Sequence, residues 1–331
     1  MELVPLGQTG LSVTRIGLGM AALGRPGYIN LGHNEDLNHN YDEQVMEAQS
    51  HEVMDAAWAV GVRYFDTARS YGLGELFLGN WLKARNFADD TPTISSKWGY
   101  TYTADWKIEA DKHEVKDHSL PVLNRQWEET KETLGDFLDL YQIHSATLDS
   151  GVLENSQVLN RLAELKNEGV LIGLSLSGAN QPETLAKALS VHIDGKKLFD
   201  TVQATYNLLE TSAEPMLRQA HEEGLGVIIK EALANGRLTS RNDDSQFAKQ
   251  FQILSQEAKK LNSTIDALAI AGVLAQPWVD TVLSGAARIA HLHSNLKALE
   301  INWDDNLSDR ISVIRESPQT YWNIRKSLVW N

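Results

Sequence analysis

Short apolar runs alternate with longer amphipathic stretches along most of this chain. The apolar runs have the length of strands, and they are apolar at successive positions, which is typical of parallel strands buried on both faces. The stretches between them repeat apolar residues with helical spacing. Strands are predicted over 15–20, 63–66, 92–97, 138–144, 170–177, 201–206, 226–230 and 280–284. Helices are predicted over 48–60, 75–84, 121–134, 156–168, 182–190, 213–223, 246–261, 264–274 and 288–299.

This alternation amounts to eight strand-plus-helix units and predicts an α/β fold, a closed (β/α)8 TIM barrel. The rival is a doubly wound open sheet. An open-sheet enzyme that binds a dinucleotide would normally carry Gly-x-Gly-x-x-Gly after its first strand, and the segment beginning Gly17-Leu-Gly19 does not match that motif. The barrel is therefore favoured.

The chain is expected to form one domain over residues 1–331, because no change in composition or Pro/Gly/Ser-rich hinge divides it. Residues 3–13 form two short extended pieces around a turn that contains Gly10, which predicts a β-hairpin. Residues 25–47 are rich in Gly, Asn and Asp without a sustained period. They are interpreted as a long surface loop.

Composition narrows the possible functions. The 331 residues carry a formal charge of −14 without a Lys/Arg cluster, which argues against a nucleic-acid partner. The absence of cysteine excludes thiolate nucleophiles and Cys-ligated metals. His113 and His118 are five residues apart, which does not fit the four-residue spacing of the helical zinc motif, so no metal site is predicted.

The start of the chain lacks an apolar signal segment, and the most apolar stretch, 265–279, is too short to span a bilayer, so a cytoplasmic protein without membrane contact is expected.

Ionisable residues end three successive predicted strands. Asp66, Lys97 and His144 end the second, third and fourth strands, and Tyr71 follows Asp66 in a turn. Each residue alone has a structural explanation, such as a helix cap or a histidine satisfied within the core. Because the active site of a barrel lies at the carboxyl ends of its strands, and because buried polar groups need partners, the four together predict a catalytic site.

The chemistry of these four groups is specific. A lysine beside a phenol favours the phenolate and lowers the pKa of the tyrosine, and a carboxylate beside the lysine keeps the lysine charged. Tyr71 is therefore predicted to donate a proton, with Lys97 and Asp66 tuning its pKa, and a neutral His144 to orient a carbonyl oxygen. Since no side chain supplies hydride, a nicotinamide cofactor is required.

The chain resembles the aldo-keto reductases at these positions and beyond. The matching segments are Leu6-Gly with Thr9-Gly10-Leu11, Phe65-Asp66-Thr67-Ala68 with Tyr71-Gly72, Lys97, Leu140-Tyr141 with His144, Val202-Gln203 with Tyr206-Asn207-Leu208, and Ser284-Gly285-Ala286 with Asn295. The resemblance implies a barrel whose N-terminal hairpin closes the bottom, and NADP(H) bound at the top without a Rossmann motif. It also implies reversible reduction of a small-molecule aldehyde or ketone, with sugars among the candidates.

The resemblance further implies a set of cofactor contacts. Gln203 would hold the nicotinamide carboxamide, helped by either Ser175 or Ser177. The loops at Ala232, Leu233 and Gly285 would cradle the phosphates, and Asn295 would face the adenine. Lys230 stands where the family carries an aromatic residue that stacks on the nicotinamide, and it is predicted to serve the cofactor. NADP(H) is favoured over NAD(H), although Arg288 is the one cation close to the expected adenosine site in the sequence.

Aromatic residues after the third strand suggest a wall of the substrate pocket. Trp98, Tyr100 and Trp106 are the candidates, with packing of a long loop on the barrel rim as the alternative. Near the C-terminus, Trp330 either reaches the pocket or covers the barrel wall. Two other functions stay open: a nicotinamide-binding regulatory subunit with negligible turnover, and a cofactor-free lyase or isomerase that uses Lys97 as a Schiff-base amine.

Overall fold

Eight parallel strands close into a barrel in the computed structural model, which describes residues 1–85, 87 and 90–331. The barrel strands are β3, β4, β5, β8, β9, β12, β13 and β14, and the other strands form three two-stranded hairpins. The strands are β1 Leu3–Pro5, β2 Ser12–Thr14, β3 Ile16–Gly19, β4 Tyr64–Asp66, β5 Thr93–Trp98, β6 Tyr100–Tyr102, β7 Glu114–Lys116, β8 Leu138–Ala146, β9 Leu171–Leu176, β10 His192–Ile193, β11 Lys196–Lys197, β12 Thr201–Thr205, β13 Gly226–Lys230 and β14 Thr281–Ser284. The predicted (β/α)8 barrel is confirmed.

Helices follow the barrel strands and pack around the outside of the barrel. They are α1 His33–Asp36, α2 Glu43–Ala59, α3 Gly74–Lys83, α4 Leu120–Leu134, α5 Ser156–Asn167, α6 Gln181–Leu189, α7 Glu214–Glu222, α8 Ala248–Lys260, α9 Ile265–Leu274, α10 Ile289–Leu296, α11 Asp305–Ser312 and α12 Pro318–Ser327. A large apolar cluster between the strands and these helices includes Trp127, Ile172, Leu174, Val202 and Trp278. Burial of this apolar surface is the main force that holds the helices on the barrel.

The β1/β2 hairpin closes the amino-terminal end of the barrel. Its turn lies against the start of β13, because a side-chain carbon on Gly7 would come 2.4 Å from the backbone nitrogen of Gly226. Leu6 and Val13 extend into the barrel and contact Tyr64 and other buried residues of the barrel interior. The opposite, carboxyl end of the barrel is therefore the end left open for a site.

The structure corrects the prediction for residues 25–47. This segment contains α1, and α2 begins at Glu43, five residues before the predicted start at 48. The Asp42 side chain caps α2 by accepting hydrogen bonds from the backbone N–H groups of Gln44 and Val45. The first turn of α2 is polar, so a search for apolar periodicity misses it.

Two other segments also differ from the prediction. Part of the aromatic stretch after β5 forms the β6/β7 hairpin, and the C-terminal segment adds α11 and α12, which were not predicted. The apolar stretch 265–279 contains α9, a helix of ten residues that is almost completely buried against the barrel. Within the described part of the chain, no helix has the length and apolar character needed to cross a membrane.

Candidate active site

Asp66 and Lys97 form a buried ion pair at the ends of neighbouring strands. Parallel pairing of β4 with β5 places Asp66 opposite Ser95, two residues before Lys97, so both side chains extend into the carboxyl end of the barrel. The Lys97 side chain is 0% exposed and the Asp66 side chain is 2% exposed. Lys97 Nζ donates to the Asp66 carboxylate and to the Thr67 carbonyl at 2.9 Å. Burial lowers the pKa of Lys97, and the charge of Asp66 opposes that shift.

Three further donors reach the Asp66 carboxylate. Ser95 Oγ donates at 2.7 Å, Gln203 Nε2 at 2.9 Å and Gln142 Nε2 at 3.3 Å. These side chains come from three different strands, so the carboxylate joins one side of the barrel to the other. A carboxylate with this many donors is held in one position.

Tyr71 places its hydroxyl beside the ion pair. The turn that carries it is closed by a hydrogen bond from the Tyr71 N–H to the Ala68 carbonyl, and the phenol oxygen lies 3.5 Å from Lys97 Nζ. The expected lowering of the Tyr71 pKa is not found. Burial and the nearby Asp66 carboxylate raise the pKa of Tyr71 well above its ordinary value, because the positive charge of Lys97 is already paired with Asp66. The phenol is therefore protonated at neutral pH.

His144 lies on the other side of the tyrosine. The two rings are nearly perpendicular, with centroids 5.5 Å apart. Burial, followed by the charge of Lys97, lowers the pKa of His144 well below its ordinary value, so the imidazole is neutral as predicted. Ser70 Oγ lies 3.4 Å from Nδ1. If the hydroxyl donates this bond, the ring proton resides on Nε2.

Asp66, Tyr71 and His144 line one cavity of about 320 Å³ at the carboxyl ends of the strands, hereafter the catalytic cavity. Sequence reasoning did not identify several of its other residues. Arg25 and Tyr28 come from the loop after β3, Glu114 from β7, and Glu231 and Arg325 form an ion pair with N–O distances of 2.9 and 3.0 Å. Only the Gly-rich composition of the loop after β3 pointed to that loop.

Trp330 reaches the catalytic cavity, which settles the choice left open for this residue. Its ring stacks on His113 with centroids 4.0 Å apart, and the Arg25 guanidinium lies 4.9 Å from its ring centroid. The C-terminal segment is therefore one wall of the cavity.

The three aromatic residues predicted to form a substrate wall after β5 are not among the described residues that line the catalytic cavity. Trp98 is completely buried in the apolar cluster beneath α4, where it cannot meet a ligand. Trp106 donates its indole N–H to the Tyr41 carbonyl and packs edge-on against Phe77, away from the catalytic cavity. Tyr100 lies behind His144, with ring centroids 5.0 Å apart, so it supports the imidazole.

The residues expected to hold the nicotinamide divide into two groups. Gln203 and Lys230 line the catalytic cavity, and Lys230 Nζ donates to Thr205 Oγ1 at 2.8 Å. Burial lowers the pKa of Lys230 to about 8. Ser175 is buried and accepts a hydrogen bond from the backbone N–H of Ser145, a cavity residue, whereas Ser177 lies beyond the end of β9 outside the cavity lining. Of the two serines, Ser175 is thus the closer to the site.

A second cavity of about 170 Å³ adjoins the first, hereafter the far cavity. The two share the lining residues Asn30, Leu233 and Gly285, and Ala232 lies in the first. A side chain at Gly285 would meet nothing within 4 Å, so its backbone is open to a ligand. Asn295 lines the far cavity, and with its amide oriented to satisfy both neighbours it accepts from Ser284 and donates to Asp266. The paired cavities have the extended form that a dinucleotide requires.

Comparison with known proteins agrees with this arrangement. The family model described as "Aldo/keto reductase family" matches residues 15–316. The chain belongs to the aldo/keto reductase family. Members of this family are oxidoreductases that use nicotinamide cofactors.

Individual relatives of this aldo/keto reductase cover nearly its whole length. The "NADH-specific methylglyoxal reductase" of Escherichia coli is 24% identical, over 92% of this chain and 95% of that protein. The "Aldo-keto reductase YhdN" of Bacillus subtilis is 26% identical, over 92% and 91%. Among solved structures, the aldo-keto reductase AKR11C1 from Bacillus halodurans in its holo form superposes with a TM-score of 0.74 at 23% identity, over 96% and 97%, which supports the barrel fold.

Proposed function

We propose that this aldo/keto reductase uses a reduced nicotinamide dinucleotide to interconvert a small-molecule carbonyl and its alcohol, within one domain of residues 1–331. The observation that carries the proposal is the position of Lys97 Nζ, held between the Asp66 carboxylate and the Tyr71 hydroxyl, with the neutral His144 beside that hydroxyl. A proton donor, its charge-stabilising partner and an orienting group therefore surround one point of the catalytic cavity.

Each of these residues has a distinct role in the proposed reaction. His144 donates a hydrogen bond from its Nε2–H group to the carbonyl oxygen and fixes the position of that oxygen next to Tyr71. A nicotinamide cofactor held by the residues of the two cavities would supply the hydride for the carbonyl carbon. Tyr71, protonated in the resting site, releases its proton to the oxygen as negative charge develops there. Lys97 then stabilises the resulting phenolate, and Asp66 keeps Lys97 in place.

The residues of the two cavities suit the cofactor. Gln203, Ser175 and Lys230 would hold the nicotinamide end, Ala232, Leu233 and Gly285 the phosphates, and Asn295 the adenosine end. His144 Nε2 has no hydrogen-bond partner among the described residues although its ring lines the catalytic cavity, which is the state expected of a donor that awaits a ligand. The Schiff-base alternative needs an unpaired Lys97, and the buried pair with Asp66 argues against it.

Replacement of Tyr71 by Phe tests the proposal. We expect turnover, followed by the loss of reduced-nicotinamide absorbance with a panel of aldehydes and ketones, to fall by about two to four orders of magnitude, because one positioned proton donor contributes that much. Cofactor affinity, followed by quenching of tryptophan fluorescence, should stay nearly unchanged. Tyr100→Phe is the matched control, since its ring also lies beside His144 but has no contact with Lys97.

Two outcomes would contradict the proposal. Turnover of Tyr71→Phe close to that of the wild-type protein would refute the role of the tyrosine. Tight cofactor binding without turnover of any carbonyl by the wild-type protein would instead favour a regulatory subunit.

A further inference from the structure

The far cavity contains a cluster of charged residues that the catalytic proposal does not use. Asp36 on α1 lies among Arg241, Arg288 and His291, and its side chain is only 2% exposed. Asp36, Arg241 and His291 line the far cavity. These four residues are called the Asp36 cluster below.

The position of the Asp36 cluster indicates which part of a bound dinucleotide it would contact. Under the proposed function, the nicotinamide must lie beside Tyr71 and His144 in the catalytic cavity. The far cavity joins the catalytic cavity through Asn30, Leu233 and Gly285. A dinucleotide that extends from one to the other therefore places its second nucleoside, the adenosine, next to the Asp36 cluster.

Arg241 has no terminal N–H left for a ligand. Nη1 donates to the Asp36 carboxylate at 2.8 Å and to the Gly32 carbonyl at 3.0 Å. Nη2 donates to the other carboxylate oxygen of Asp36 and to His291 Nε2, the latter at 3.1 Å. Each terminal nitrogen of a guanidinium carries two hydrogens, so all four are engaged within the protein.

Arg288 is held through two of its three nitrogens, and it is not among the described residues that line the far cavity. Its Nε donates to the Asp36 carbonyl at 2.8 Å, and its Nη2 donates to the Glu35 carbonyl and to Asn38 Oδ1. His291 accepts the bond from Arg241, so that ring nitrogen carries no proton of its own. Arg241, the arginine that lines the far cavity, thus has its terminal N–H groups bound to the loop that carries α1 and to His291, and Arg288 is tied to the same loop through Nε and Nη2.

The charges of the far cavity are also balanced. The Asp36 carboxylate pairs with Arg241 and lies 3.7 Å from Arg288, and Asp266 adds a second carboxylate to the lining. A phosphate needs free N–H donors and net positive charge, and Arg241, the arginine in the lining of the far cavity, can offer its terminal N–H groups only by breaking its contacts with Asp36. A ribose with free hydroxyls adds no charge and avoids that cost.

We propose that Asp36 makes this reductase selective for NAD(H) over NADP(H), by occupying Arg241, which would otherwise be free to bind a 2′-phosphate. This inference rests on the proposed function, since it takes the cofactor to be a nicotinamide dinucleotide. It reverses the preference for NADP(H) that the family resemblance suggested. Sequence alone identified Arg288 as a nearby cation but did not reveal that Asp36, 252 positions away, lies against it.

Calorimetric titration of the wild-type protein with ADP-ribose and with its 2′-phosphorylated form tests the proposal without catalysis. We expect ADP-ribose to bind at least about tenfold more tightly. In a partly buried site, the repulsion between a 2′-phosphate and the Asp36 carboxylate a few ångströms away exceeds the free energy that corresponds to a tenfold difference in affinity. Tighter binding of the 2′-phosphorylated form would overturn the selectivity but leave the proposed function intact. Failure of both ligands to bind would instead count against dinucleotide binding itself.

Two variants test whether the selectivity comes from the charge of Asp36 itself. Asp36→Asn removes the carboxylate charge, and we expect it to reduce the preference for ADP-ribose by about tenfold or more as Arg241 becomes available. Glu35→Gln removes the same charge one residue away, from an exposed side chain that makes no contact with either arginine, and it should leave the ratio of affinities unchanged. A folded Asp36→Asn protein with the wild-type ratio would refute the role of Asp36, and the ratio for the wild-type protein tests the selectivity even if this variant does not fold.

Discussion

Asp66 and Lys97 form one ion pair, but removal of Asp66 should destabilise the protein more than removal of Lys97. In Asp66→Asn, the ammonium of Lys97 stays completely buried and loses the negative charge of its ion-pair partner, and only neutral oxygens such as the Thr67 carbonyl at 2.9 Å and the Tyr71 hydroxyl at 3.5 Å surround it. An uncompensated buried charge of this kind costs about 3–5 kcal/mol. We expect the free energy of unfolding to decrease by that amount.

Lys97→Met should cost less. The Asp66 carboxylate keeps three donors, from Ser95, Gln203 and Gln142, so most of its hydrogen bonds survive the loss of the lysine. The expected decrease is about 1.5–3 kcal/mol, the typical contribution of one hydrogen bond to a charged group. The double variant should be less destabilised than the sum of the two single variants, because no unpaired ammonium remains.

Urea unfolding followed by tryptophan fluorescence measures all three values, with comparison restricted to variants whose m-values match the wild type. A decrease below about 1 kcal/mol for Asp66→Asn would refute the argument that Lys97 depends on this carboxylate for compensation. A Lys97→Met variant less stable than Asp66→Asn would refute the inference that the extra donors hold the carboxylate. Strict additivity in the double variant would show that the two groups are not coupled.

Two further predictions concern the walls of the site. Because the pKa of Lys230 is about 8, cofactor binding measured by fluorescence quenching should weaken as the pH rises through that value and Lys230 loses its charge. The Lys230→Met variant should bind the cofactor about 1–2 kcal/mol less tightly and should lose this pH dependence. If the dissociation constant of this variant is unchanged at low and high salt, Lys230 has no role in cofactor binding. Gly24→Ala should lower both turnover and melting temperature, since the added carbon would lie 2.3 Å from the Tyr71 carbonyl oxygen and would displace the turn that carries the phenol; wild-type turnover would show that this turn adapts.

The barrel could be predicted because its signal is local. Burial on both faces makes parallel strands apolar at successive positions, and the helices between them need one apolar face, so each unit can be recognised from its own residues. Asp66, Lys97 and His144 could be predicted to converge for the same reason, since they end adjacent strands and β4, β5 and β8 are neighbours in the barrel. The sequence by itself therefore determined the fold, the convergence of Asp66, Lys97 and His144, and the end of the barrel where they meet.

Whatever depends on contact between distant segments required the tertiary structure. The predicted lowering of the Tyr71 pKa failed because pairing with Asp66 and burial of the ring outweigh the nearness of Lys97, and neither effect follows from sequence spacing. Trp98 has the same local surroundings as a pocket residue, but the packing of α4 against β5 buries it.

Two contacts between segments that are far apart in the chain show most clearly what sequence patterns do not predict. Trp330 forms a wall of the catalytic cavity by stacking on His113, and Asp36 pairs with Arg241 although 205 positions separate them. Neither contact repeats with the period of a helix or strand, so no pattern in the sequence indicates it. The periodicity of the sequence thus predicted where the ionisable residues at the strand ends converge. Only the long-range packing of loops decided which groups surround them and which charged groups can bind a ligand.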